Sequence, residues 1–274
     1  MNEPGGEMAA VARGFDSLAR GYDTAYPRSR SLALMRATAL AAWQRAARPG
    51  EQWLELGAGT GRDAVAVARR GIHVLAADIS TGMLDRLRHR LRTGPTRGRI
   101  IPMRLGTGDL ERLLPRWRGR LDGVAILFGA LNYGPDPGRL PPLLAALLRP
   151  GGRVIAAVRN RVCPWELAYS LAFHPNPRLA FRRFHPAGAV TTLGRQTVRM
   201  RVYTPGELTR LFRPAFRRTA LRGLAVALPP YMIAGFSRRF PRLERWLERL
   251  EPVIAPWPGF RSLGDHFLAE FVRR

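Results

Sequence analysis

The run Glu55-Leu56-Gly57-Ala58-Gly59-Thr60-Gly61-Arg62-Asp63 holds the residues best suited to chemistry. It joins an apolar stretch, Trp53 to Leu56, to a helical pattern, Asp63 to Arg70, that stops at Gly71. Glycines at such a joint let the chain turn tightly and let a ligand approach the main chain. Free amides at the start of the following helix face that ligand. A dinucleotide fingerprint needs G-x-G-x-x-G, but the sixth position from Gly57 is Arg62, so the spacing here is G-x-G-x-G. A phosphate-binding P-loop is excluded, because no Gly-Lys-Ser/Thr follows. A tight turn without a ligand would use the same glycines.

Three further groups fall at comparable places. Asp78 ends the second apolar stretch, 17 residues after Gly61. A carboxylate there accepts two hydrogen bonds from ribose hydroxyls, although a strand-end cap would also place an acid at this point. Gly108-Asp109 follows the third stretch, where the acid would serve equally as a loop cap. Phe128-Gly129-Ala130-Leu131-Asn132-Tyr133 follows the fourth. All lie at the carboxyl ends of expected parallel strands, where open α/β sheets bind ligands. The catalytic candidates are His266 (beside Asp265), Tyr133 and Asn132, with a structural or surface role as the alternative for each. His174 and His185 are weaker candidates for a base, and His73 reads as a packing residue. Cys163 is the single cysteine, which excludes an internal disulfide and a cysteine cluster. No histidines stand at ligand spacing, so no metal site is expected.

These groups need a scaffold. Strands are expected over 53–56, 72–77, 100–105, 121–128 and 153–158, with helices over 63–70, 80–92 and 140–148 between them. Arg149-Pro150-Gly151-Gly152 reads as a turn. Alternating apolar strands and helices mean a parallel sheet covered on both faces. The pattern changes after residue 158. A hairpin is expected across Gly194. Thr204-Pro205-Gly206-Glu207 opens a helix, with Thr as N-cap and Glu three residues on. Residues 216–224 and 266–272 read as strands. The division is a leader and ligand-binding core over 1–160, a cap insertion over 161–203, and a closing part over 204–274 with a second insertion at 225–264.

Composition sets the frame. The 274 residues are 46% hydrophobic and 24% charged, enough for a sizeable core and unlike a disordered chain. All 45 basic residues are arginine, against 20 acids, for a net charge of +25. Arginine is spread along the whole chain, as a GC-rich bacterial genome would favour. An anionic partner is the competing account. The first twelve residues carry no apolar run, and no stretch approaches the length of a membrane span. The expectation is a cytoplasmic protein. The two insertions interleave aromatic residues, among them Trp165, Phe181, Tyr231, Met232 with Phe236, and Trp246, with arginines. They read as a lid over an apolar pocket, as a basic amphipathic surface peripheral to an anionic membrane, or as plain cap packing.

The ordered set of motifs resembles the class I S-adenosylmethionine-dependent methyltransferases of the small-molecule type. ELGAGTG resembles their first motif, ADIS carries their ribose acid, Gly108-Asp109 their adenine-binding pair, and LRPGG the turn before their fifth strand. Residues 15–23 resemble the helical leader common there. The resemblance implies a Rossmann-like, doubly wound α/β fold. Its seven-stranded sheet would be mostly parallel with an antiparallel last strand, and cap insertions would be added to it. S-adenosyl-L-methionine would be the cofactor. The resemblance places Gly57, Ala58, Gly59 and Gly61 along its methionine part, Glu55 near the amino group, Asp78 on the ribose and Ile79 on the adenine. Asp109, in the pair with Gly108, would hydrogen-bond the adenine amine, Phe128 would contact the methionine moiety or the sulfonium side, and Tyr22 would close over the carboxylate.

The expected function is methyl transfer to a small, hydrophobic or aromatic acceptor at O, N or C, by a monomer or homodimer. One alternative is an RNA methyltransferase, but no Asn/Asp-Pro-Pro-Tyr/Phe motif follows strand four and no RNA-binding module is present, so no specific nucleic acid is expected. The other is a binding or regulatory protein that kept the fold and lost catalysis.

Overall fold

The computed structural model describes residues 4–25, 29–134, 136–173, 176–231, 233 and 235–274. His174 and Met232, both singled out above, lie outside the described residues. A leader of two helices, α1 (Pro4–Leu18) and α2 (Tyr22–Ala25), precedes the long α3 (Arg30–Ala46). Strands β1 (Gln52–Leu56), β2 (His73–Asp78), β3 (Ile100–Arg104), β4 (Leu121–Leu127) and β5 (Leu148–Arg159) follow. Helix α4 (Arg62–Ala68) joins β1 to β2, and α5 (Thr81–Arg92) joins β2 to β3. A hairpin pairs β6 (Ala189–Leu193) with β7 (Gln196–Met200). The chain closes with β8 (Phe216–Leu224) and β9 (His266–Arg273).

Seven strands form one sheet in the order β3-β2-β1-β4-β5-β9-β8. The first five are parallel, and β9 runs antiparallel to both neighbours. This is the doubly wound α/β architecture the sequence pattern predicts. The order reverses between β1 and β4, which opens a crevice at their carboxyl ends.

Two cores follow from the period-two geometry of strands. Trp53 of β1 points to one face, where its ring lies 5.9 Å from that of Trp43 of α3. Its neighbour Leu54 points to the other face, with Leu144, Leu208 and Phe212. Gly123 of β4 makes room for Trp53, since a Cβ there would lie 2.4 Å from the indole.

The LRPGG segment differs from expectation. Arg149 to Gly152 is a bulge inside β5, because Leu121 pairs with Leu148 while Gly123 pairs with Arg153. Gly151, at φ 74°, allows the excursion. Thr204 caps the helix Pro205–Phe212 as expected, with reciprocal bonds between Thr204 and Glu207. Among the described residues no helix is long and apolar enough to cross a membrane.

Candidate functional site

The glycine turn is shaped by the main chain itself. The amides of Gly57 and Ala58 both donate to the Ala77 carbonyl, at 2.8 and 2.9 Å, locking the turn to the end of β2. Gly57, Gly59 and Gly61 have φ of 77°, 54° and 76°, a region side chains disfavour.

Asp78 stands beside this turn. Its Oδ2 accepts from the Gly59 amide at 2.8 Å and its Oδ1 from the Ser80 amide at 2.9 Å. Burial pushes its carboxyl up, and the two amides only partly offset this. Each carboxylate oxygen keeps acceptor capacity beyond these bonds.

A cavity opens at the carboxyl ends of β1 to β4. From the sheet it is lined by Leu56, Gly57, Gly59, Asp78, Ile79, Leu105, Thr107 and Phe128. The leader closes the opposite side with Met8, Val11, Phe15 and Tyr22. Two carboxylates hold the leader there. Asp16 accepts from the Ser80 hydroxyl and the Gly82 amide, and Asp23 accepts from the Thr60 hydroxyl and Arg90. The β6–β7 hairpin presses on the leader from outside, where a Cβ on Gly14 would meet Leu193 at 2.7 Å. Phe128 is held at φ 52°, an uncommon value for a bulky residue and one that tends to occur at functional sites.

Of the expected ligand-binding residues, Tyr22, Gly57, Gly59, Asp78, Ile79 and Phe128 meet at this wall. Others do not reach it. Gly61 serves packing: a Cβ there would stand 2.0 Å from Leu87 Cδ1. Ala58 is buried outside the lining residues. Glu55 is buried near the Ala64 amide, and its Oε2 has no hydrogen-bond partner. Burial, with Asp63 and Asp78 nearby, pushes its carboxyl well above the usual range, although Arg36 pulls the other way. Gly108 and Asp109 line a neighbouring cavity with Ile79, Gly106 and Thr107, and Asp109 accepts from the Gly106 amide at 3.2 Å.

The catalytic candidates separate. Tyr133 lines the cavity, and its ring meets Phe15 edge-on at 5.9 Å. Asn132 corrects the expectation: its amide nitrogen donates to the Arg201 carbonyl at 2.6 Å and its oxygen accepts from the Arg159 amide. Both ends are engaged by backbone, so it fastens the hairpin to the sheet. His266 is buried, with its ring 5.5 Å from that of Phe128. Its Nδ1 lies 2.9 Å from Asp265 Oδ2. Burial lowers its pKa despite Asp265. Burial pushes Asp265 up, but Arg159, Arg183 and His266 hold it well below the usual carboxylate range. An imidazole that donates from Nδ1 to this carboxylate leaves Nε2 as an acceptor. Cys163 is buried, which pushes its thiol up to about 12 and disfavours the thiolate.

Sequence reasoning missed Arg36. Its guanidinium pairs with Asp63 at 3.1 Å, bonds Tyr22, and lies 5.9 Å from the centre of the Phe128 ring. It sits mid-helix in α3 among other arginines, and no local signal distinguishes it. Thr107 was missed as well; its hydroxyl is buried without a partner at the cavity wall.

Comparison with known proteins settles the family. Residues 54–152 match the model of a methyltransferase domain. A demethylmenaquinone methyltransferase from Beutenbergia cavernae is 36% identical over 54% of this chain and 57% of its own length. One from Tropheryma whipplei is 32% identical over 60% of this chain and 67% of its own. The chain belongs to the class I S-adenosylmethionine-dependent methyltransferases. It spans about half the length of the curated relatives it matches. The fold agrees with the solved Burkholderia thailandensis 1,6-didemethyltoxoflavin-N1-methyltransferase, bound to its didemethyltoxoflavin and S-adenosylhomocysteine. The TM-score is 0.57 at 18% identity, covering 100% of this chain and 91% of that one.

The residues present fit the family's cofactor, S-adenosylmethionine. An acid with spare acceptor capacity stands at the wall, apolar Ile79, Met83 and Leu105 line it, and the Thr107 hydroxyl lacks a partner until something fills the space.

Proposed function

We propose that this protein transfers a methyl group from S-adenosylmethionine to a small, hydrophobic or aromatic acceptor at oxygen, nitrogen or carbon. The observation that carries the reading is the Asp78 carboxylate, buried at the cavity wall and held by the Gly59 and Ser80 amides. On this reading Asp78 takes the ribose hydroxyls. Ile79 and Leu105 flank the adenine, with Thr107 and the neighbouring Asp109 near its edge. Gly57 and Gly59 line the methionine part, and Phe128 and Tyr22 border the reacting end. When bound, S-adenosylmethionine supplies an electrophilic methyl group. The chain's own part is to orient the two reactants and exclude water.

A second, larger cavity supports the acceptor class. It shares Tyr22 with the first and is lined by Leu18, Pro230, Tyr231, Ile233 and Phe236. Such a wall suits an apolar ring. Demethylmenaquinone, named in the relatives, is one candidate of this class. For a hydroxyl or amine acceptor, Nε2 of His266 would take the proton while Asp265 steadies the imidazolium. A hydrophobic acceptor is met at a membrane, and the chain's charge suits an anionic one.

The test is calorimetric titration with S-adenosylhomocysteine on the wild type and on Asp78→Ala. Micromolar binding that the substitution weakens about tenfold or more, ~1.4 kcal/mol, supports the reading. Absence of binding to either protein overturns it.

A further inference from the structure

Away from the cleft, the segment 238–260 packs Leu247, Leu250 and Ile254 on the core, yet it distributes its charges unevenly between its two sides. Its helix, Pro241–Ile254, carries three acids that turn towards the protein. Glu244 is buried, accepts from the Ser237 hydroxyl at 2.6 Å and faces Arg30. Glu251 is buried and takes the amides of Val226, Ala227 and Leu228. Glu248, half-buried, bonds Arg30 at 3.0 Å. The outward side instead shows five arginines, at 238, 239, 242, 245 and 249, all exposed. Among the described residues none of the five pairs with a carboxylate. Between and beyond them stand Leu243, Trp246, Val253 and Trp257, 44%, 58%, 52% and 54% exposed.

A helix facing water turns its apolar side in and its charges out. Here the buried side mixes Leu247, Leu250 and Ile254 with carboxylates, and the exposed side holds two tryptophans and two aliphatic residues ringed by arginines that have no carboxylate partner among the described residues, Arg239 lying over the Phe240 ring. Water solvates the arginines but gives the exposed apolar side chains no gain. A phase that is apolar inside and anionic at its surface satisfies both kinds of residue.

We infer that this face docks the protein on an anionic lipid bilayer. The arginines meet the headgroups, and Trp246 with Leu243, Val253 and Trp257 enter the headgroup–acyl boundary. Single-stranded nucleic acid is the less suitable partner: it is held in grooves with stacking rings, whereas Leu243 and Val253 offer no ring and the face is a convex helix. The surface also borders the second cavity, whose wall includes Phe236, Ser237, Arg238 and Glu244. An acceptor drawn from the bilayer would enter there; that last step rests on the methyl-transfer reading, whereas the docking does not.

The test is flotation of the full chain with vesicles of phosphatidylcholine alone and with phosphatidylglycerol added. Binding is expected to the anionic vesicles and not to the neutral ones. The variant Arg242→Gln/Arg245→Gln/Arg249→Gln and the variant Trp246→Ala/Trp257→Ala should each weaken it about tenfold or more. A control, Arg112→Gln/Arg116→Gln/Arg120→Gln, removes equal charge elsewhere and should leave binding within about twofold. All three should bind S-adenosylhomocysteine as the wild type does, so a loss on vesicles is separable from failure of the cofactor site. An equal loss in the control, binding to neutral vesicles, no vesicle binding, or a salt-sensitive gel shift with tRNA in place of vesicle binding would each overturn the inference.

Discussion

Asp16 of the leader accepts a hydrogen bond from the Ser80 hydroxyl at 2.6 Å, and the same carboxylate oxygen accepts the Gly82 amide at 2.8 Å. The bond ties the lid side of the cleft to the cap of α5, two residues after Asp78. The leader therefore closes on the same turn that presents the candidate ribose acid. Asp16→Ala should loosen it and weaken S-adenosylhomocysteine binding about tenfold, or ~1.4 kcal/mol. Hydrogen exchange over residues 4–18 should rise in the same variant. Unchanged exchange and affinity would show that the hairpin alone holds the leader.

Gly59 and Gly61 should fail in different ways. Both have positive φ, so alanine at either strains the backbone by about 1 kcal/mol. A Cβ on Gly59 meets nothing within 4 Å, but the residue lines the cavity. A Cβ on Gly61 collides with Leu87, which adds about 1–3 kcal/mol of overpacking. Gly59→Ala is expected to weaken the cofactor more than the fold, and Gly61→Ala the reverse. Thermal unfolding beside calorimetry separates the two, and Leu87→Ala should partly rescue Gly61→Ala.

The buried charges around Asp265 should be costly to break. Arg183 bonds both Asp265 and Glu166, and Arg159 pairs with Glu166 at 3.2 Å and Asp265 at 3.6 Å. Asp265→Asn leaves two buried guanidinium groups facing one acid, for a loss of about 3–5 kcal/mol in denaturant unfolding. A loss under 1 kcal/mol would mean that water reaches the cluster.

His266 supplies a pH dependence whose sign follows from burial. Its folded pKa lies below the ordinary value of about 6.5, while the unfolded chain titrates near that value. The unfolded state therefore binds more protons as pH falls below about 6.5, and folding stability drops from there towards the folded pKa. Above about 6.5 the contribution is fully present. His266→Gln should flatten this part of the stability profile. If His266 is the base, methyl transfer to a hydroxyl acceptor also loses its acid-side limb in kcat, while S-adenosylhomocysteine affinity stays level.

Much of the site was legible from short-range signals. The apolar strands, the glycine turn, Asp78 at the end of β2 and the Thr204 cap all depend on residues a few positions apart, and they stand where the pattern puts them. Gly61 shows the limit. Its positive φ is a local property, but whether it touches a ligand or Leu87 depends on where α5 lies against the glycine turn. Asn132 shows it again: nothing near it in sequence marks Arg201 as its partner, 69 residues on.

By itself the sequence determined the order of strands and helices, the turn that only glycine tolerates, and a charge carried wholly by arginine. These follow from residue type and spacing, because backbone preference and periodic burial act over a few residues. The tertiary structure alone decided that Arg36 reaches Tyr22 and Phe128, that His266 faces Phe128 beside Asp265, and that three glutamates turn inward beneath an outer face of arginine and tryptophan. Those contacts join residues far apart in the chain, and packing of the sheet, leader and insertions sets them.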